Sequence, residues 1–137
     1  MATESPLIHD GAQCAAAANY WNPSTALPGP NGSGQFLAVA VSAPRTVTVD
    51  TSGGTAAIYG ILQNTPGQGQ AADVGILGIS KAVAGAALSA AAQLQADTQG
   101  RVITATGTNH RFAIALEAAT AAGQLITVFV TGANTTA

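Results

Sequence analysis

Short hydrophobic runs, cut by turns, carry most of this chain from Gln35 onward. Phe36 to Val41 (FLAVAV) is apolar throughout, as in a strand buried on both faces. Pro44 ends or edges it. Thr46 to Val49 (TVTV) alternates with period two, so its valines face inward and its threonines outward. Asp50 to Gly54 (DTSGG) is turn chemistry, with two glycines free to take positive φ. Ala56 to Gln63 (AAIYGILQ) and Asp73 to Lys81 (DVGILGISK) then predict two strands that pair as a hairpin around the loop 64–70. Gly60 sits inside the first of those strands and suggests a bulge or a close approach of backbone, and Gly75 and Gly78 lie inside the second.

The second half continues in the same way. Residues 82–92 (AVAGAALSAAA) are ambiguous: alanine favours helix, but Gly85 costs about 1 kcal/mol in a helix interior. A short helical turn or tight connection is expected around Leu88 to Ala92. Gln93 to Ala96 and Arg101 to Ala105 flank a hairpin turn, Asp97 to Gly100. Phe112 to Ala118 and Gln124 to Thr131 predict two more strands, the last one the most β-branched. The fold class is therefore mainly β. The expectation is a small antiparallel β-barrel or sandwich of about seven or eight short strands, with an extended N-terminal arm and at most one short helix.

Residues 1–34 lack this pattern. Pro6, Pro23, Pro28 and Pro30 break any helix, and NPSTALPGPNGSG is coil and turn chemistry. The expected organisation is an arm over 1–34, a β-rich core domain over 35–131 and a frayed tail over 132–137. The arm nevertheless holds Tyr20 and Trp21, two of the six aromatic residues. Either it folds back onto its own domain or it inserts into a neighbour.

Composition narrows the function. Only 7% of the 137 residues are charged, and the formal net charge is -2. Alanine supplies 31 residues, while Leu, Ile, Val and Phe together supply 29, so the core is modest. A modest core under a charge-poor surface indicates that part of the surface is buried against other protein. Four scattered basic residues, Arg45, Lys81, Arg101 and Arg111, make no stripe for phosphates, which argues against nucleic acid as a partner. The longest apolar stretches are short and built of Ala and Gly, so no membrane span is expected. The N-terminus lacks the basic start and long apolar run of a secretory signal. A single cysteine, Cys14, excludes an intrachain disulfide; the default role is a buried, inert thiol matured in a reducing cytoplasm.

No catalytic constellation stands out. His9 and His110 lie 101 positions apart without a thiolate, a poor metal set, and both read as surface residues in polar segments. There is no GxSxG elbow. Six carboxylates are dispersed along the chain, with Asp50 and Asp97 at turns. Glu117 lies in a strand and is the one candidate for a functional carboxylate, and its simplest role is an ion pair or an outward position. The GQGQ run at 67–70 leads from no strand into a helix, so it is not a phosphate loop. The expectation is no enzyme, no cofactor and no metal.

Several runs together resemble the capsid cement or decoration proteins of tailed phages. They are the stretch Tyr59 to Lys81 (YGILQNTPGQGQAADVGILGISK), Asp97 to Val102 (DTQGRV) and Ala113 to Val128 (AIALEAATAAGQLITV). SPLIHDGA at Ser5 to Ala12 and SGQFLAV at Ser33 to Val39 fit the same pattern. These are packing and turn residues, and their order and spacing carry the likeness. The resemblance implies a non-enzymatic virion protein, made in the host cytoplasm and bound to the outer surface of an assembled head. There it would bridge neighbouring major capsid subunits. It also implies self-association, with a trimer favoured and a dimer possible. On this reading the arm from Pro6 to Gly34 orders on the partner, and Pro6, Tyr20, Trp21, Pro23 and Pro28 make the contact. The competing reading is a fibre-associated module that binds a host surface or glycan.

Overall fold

The structure, a computed structural model, describes residues 6–20 and 27–135. These form one open sheet of eleven strands, not a closed barrel, and the described residues include no helix beyond a single 3-10 turn, Pro30–Gly32. The strands are β1 (Leu7–His9), β2 (Cys14–Ala16), β3 (Ala38–Ala43), β4 (Thr46–Val49), β5 (Gly60–Leu62) and β6 (Ala71–Ala72). They continue as β7 (Val74–Val83), β8 (Gln93–Ala96), β9 (Val102–Thr104), β10 (Arg111–Ala115) and β11 (Leu125–Thr135). The order across the sheet is β6-β2-β4-β3-β5-β7-β11-β10-β8-β9, with β1 paired to β7.

The ten-residue β7 is the spine. Gly75 pairs with both Ile61 of β5 and His9 of β1, so those two strands lie on opposite edges of β7. Gly78 likewise pairs with both Leu7 of β1 and Val130 of β11. Hence β5 and β11 follow one another along a single edge of β7, and β1 lies along the other. The change falls where the β1 register slips, between Ile8 and His9. One edge serving two strands divides the sheet into two wings. The first wing packs Leu37, Val39, Val47, Leu62 and Val74; the second packs Leu94, Val102, Phe112, Ile126 and Val128. All are at most 2% exposed, and each contributes roughly 1.5–3 kcal/mol on burial. Ala38 and Ile61 cross from the first wing into the second core, and Val83 crosses back.

Alanine explains how a thin core closes. Ten of the described alanines are buried, among them Ala82, Ala84, Ala96, Ala113 and Ala115. They let elements approach closely where bulky side chains are scarce. The alanine run 82–92 forms no helix, because its neighbours claim its backbone. Gly85 donates to the Val102 carbonyl, Leu88 and Ala119 exchange both amide bonds, and Ala91 turns the chain at φ 70°. Tertiary pairing overrides local propensity here.

The N-terminal segment differs from the arm expected for it. Residues 7–16 supply two strands. β1 joins the spine, and β2 pairs in parallel with β4 and antiparallel with β6. The last strand also runs past the expected core boundary, pairing Thr135 with Arg111. Both segments lack a visible alternation, and their pairing partners are distant in sequence, so no local pattern announces them.

Candidate docking surfaces

The glycines of β7 exist for β1. A Cβ on Gly78, which has φ +116°, would fall on the Pro6 carbonyl oxygen. One on Gly75 would lie 2.8 Å from the Leu7 side chain. Small residues thus let β1 seat directly on the spine, where the Ile79 amide donates to the Pro6 carbonyl at 2.9 Å. Asp10 locks the seat: its Oδ1 accepts from the amides of Ala12 and Val74, and its Oδ2 from the Tyr59 hydroxyl at 3.2 Å. Burial, with the Asp10 charge second, pushes the Tyr59 phenol up to about 12. His9 Nδ1 lies 2.7 Å from Asp73 Oδ1 in an exposed pair.

Seating β1 leaves an apolar groove beside it. Ile8, Ile58, Tyr59, Ile76, Leu77 and Gly132 line one part, about 560 Å³ in volume. A second part, lined by Ala40, Val41, Ala56 and Ala57, shares Ile58 and Tyr59 and so continues it. None of these residues is charged. Ile8 and Val41 are each 55% exposed and Leu77 is 38% exposed, which is costly for branched side chains in water.

A second exposed face lies on β11. Ile126, Val128 and Val130 point into the core, whereas Leu125, Thr127 and Phe129 point outward. Phe129 stands opposite Ile79 on one side and Ile114 on the other. Thr127 stands opposite Lys81, whose Nζ donates to its hydroxyl at 2.9 Å. Glu117 Oε2 accepts the Thr127 amide at 2.9 Å. The Thr127 side chain and amide, with Lys81 nearby, hold the Glu117 carboxyl below the usual carboxylate range.

The residues picked out in the sequence do not converge on one place. Pro6 is exposed at the start of β1, and Pro28 is half-buried ahead of the 3-10 turn. Tyr20 is only 4% exposed within its own domain, where its hydroxyl meets Thr48 Oγ1 at 3.1 Å and accepts the Val49 amide at 3.0 Å. Its ring is thus a core element rather than an anchor held out for a partner. Trp21 and Pro23 lie outside the described residues. Cys14 is buried. Among the described residues, no cluster of His, Cys, Asp or Glu is suited to a metal ion. Ile8, Val41, Leu77 and Phe129 escaped the sequence reading. The signal for them was a run such as QLITVFVT, apolar on both faces, in a fold with too little material to cover both.

An exposed apolar surface on a structural β fold agrees with what comparison with known proteins finds. A family profile described as phage cement protein matches residues 32–131. The chain belongs to the phage cement protein family. The cement fold of this chain is also similar to a structure titled as the head fiber gp8.5 N base of bacteriophage phi29. That likeness has a TM-score of 0.58 and 13% identity, and it covers 96% of this chain and 98% of the other. At that identity the likeness concerns the fold alone. No curated protein matches the chain. The cement-family match begins at Gly32, so it takes in the spine, both wings and the β11 face but not β1 and β2.

Proposed function

We propose that this phage structural protein attaches to the outer surface of the assembled head and bridges neighbouring major capsid subunits. It thereby holds the shell against the pressure of packaged DNA. The observation that carries the reading is the uncharged groove around Ile8, Val41, Leu77 and Tyr59 in a member of the cement family. A surface without charge suits an apolar partner surface and excludes no neighbour by repulsion. Each copy that touches more than one capsid chain multiplies weak contacts through avidity.

Heads lacking this protein provide the test. Saturable co-sedimentation of the purified chain, with a raised temperature of head disruption, supports the role. Leu77→Asp places a charge in the groove on a side chain already partly in water, so the fold should persist. Its binding to heads should weaken at least about tenfold. Unchanged binding by Leu77→Asp would move the contact elsewhere, and no binding by the folded wild-type chain would overturn the reading.

The likeness to a head-fiber base favours one second reading, a fibre-associated module that binds a host surface or glycan. Glycan-array binding by the isolated chain would favour it.

A further inference from the structure

We propose that the apolar groove takes up an extended, uncharged segment of the capsid partner, which adds to the inner edge of β3 as one more strand. This rests on the capsid reading and names the form the partner has at that site. Backbone groups of successive strand residues point to opposite edges. The Asp50 amide donates to the Ala38 carbonyl on the β4 side, whereas the Tyr59 amide donates to the Val39 carbonyl on the β5 side. Ala40 follows Ala38 in facing β4, where it stands opposite Thr48. Val41 follows Val39, so its amide and carbonyl face the β5 side. The β5 ladder has already ended there, because β5 meets β3 at Ala38 and Val39 and no further. Among the described residues, no backbone group takes up the Val41 amide or carbonyl on that side. Beside Val41 lies instead the part of the groove that separates it from Ala56 to Tyr59, about 390 Å³ in volume.

An amide and a carbonyl presented together by one strand residue are matched by another extended backbone. A helix cannot match them, since its own amides and carbonyls are bonded internally. The walls of the groove select the side chains of the added strand. Ile8, Ile58, Tyr59, Ile76 and Leu77 are apolar or aromatic and none is charged, so a charged segment would lose its hydration without gaining a partner. Sheet edges are commonly guarded by charge or proline, but Val41, Ser42 and Ala43 provide neither ahead of Pro44. The register slip after Val41 limits the addition to about two hydrogen bonds. One such contact is weak, which suits an attachment made by many copies at once.

Hydrogen exchange on the full chain, free and bound to heads that lack it, tests this. In the free chain the Val41 amide should exchange fast and the Ala40 amide, held by β4, slowly. On heads, deuterium uptake around Val41 should fall. Val41→Pro removes the free amide while leaving the β4 ladder intact, and should weaken head binding at least about tenfold. Val41→Thr keeps the amide and the shape of the side chain, and should weaken binding less than about threefold. Circular dichroism melts check that each variant is folded, and the exchange measurement decides the matter without any substitution. A slow Val41 amide in the dilute free chain, unchanged uptake around Val41 on heads, or full-strength binding by folded Val41→Pro would each overturn the strand addition and leave the capsid reading standing. Protection of Val41 in concentrated free chain would assign the edge to a second copy and overturn it as well. Wild-type chain that binds no heads would overturn the capsid reading, and this proposal with it.

Discussion

Replacing Gly78 by alanine tests the seating of β1 on the spine. Two costs add at this position. At φ +116° an alanine is strained by about 1–2 kcal/mol. Its Cβ would also strike the Pro6 carbonyl, a backbone atom that moves only if β1 moves. Shifting β1 forfeits the hydrogen bond from Ile79 to Pro6, about 1 kcal/mol, and part of the Leu7 contact over Gly75, about another 1 kcal/mol. The sum is about 3–4 kcal/mol, a large share of the roughly 5–15 kcal/mol that holds a domain together. Gly123 supplies the control. It has φ +91° and open space where a methyl group would stand, so Gly123→Ala incurs the strain without the collision. Urea unfolding should show Gly78→Ala less stable than Gly123→Ala by about 2 kcal/mol, with melting temperatures about 6 °C apart. Equal losses for the two variants would refute the claim that the spine glycines exist to seat β1.

Two further outcomes follow from the described contacts. Tyr20→Phe keeps the ring but strands the Val49 amide, and it should cost about 1–2 kcal/mol in urea unfolding with an unchanged slope. Tyr59 is raised in the folded chain to about 12 from its ordinary 10.0, so its contribution to stability is complete below pH 10 and lost as pH rises from 10 toward 12. Absorbance titration at about 295 nm should show Tyr59 ionising late, and Asp10→Asn should lower its midpoint while leaving it above 10, because burial remains the larger cause.

The parts legible in the sequence were those whose pairing is local. TVTV became β4 with the boundaries its alternation indicated, and the turn at Asp97 joined β8 to β9 as expected. The pairing of β5 with β7 was also visible, and Gly60 did mark a close backbone approach, as the glycines inside β7 also turn out to do. What approaches them was not visible. β1 and β2 are three residues each, their partners lie about thirty to seventy positions away, and β2 pairs in parallel with β4. No periodicity survives in three residues. The buried Tyr20 followed from the same gap, since its place in the core depends on β2 being in the sheet. The exposed faces were illegible for another reason: a strand apolar on both sides looks the same whether its outer face is covered by this chain or by another.

The two ends of the sheet set what a concentrated stock of this protein can do. One end is β6, two residues long; at the other, β9 meets Ala84 through an isolated bridge, and its Val102 carbonyl is taken by Gly85. Neither end, nor the three-residue β1 that hangs off the spine, offers a ladder that a second chain could extend by more than a few bonds. Growth from strand to strand, the usual route by which β-rich chains become fibres, is thereby blunted. A surplus of this protein should therefore resist growing into fibres, and on the proposed capsid role the number of copies laid down would be set by the surface that receives them rather than by its own supply.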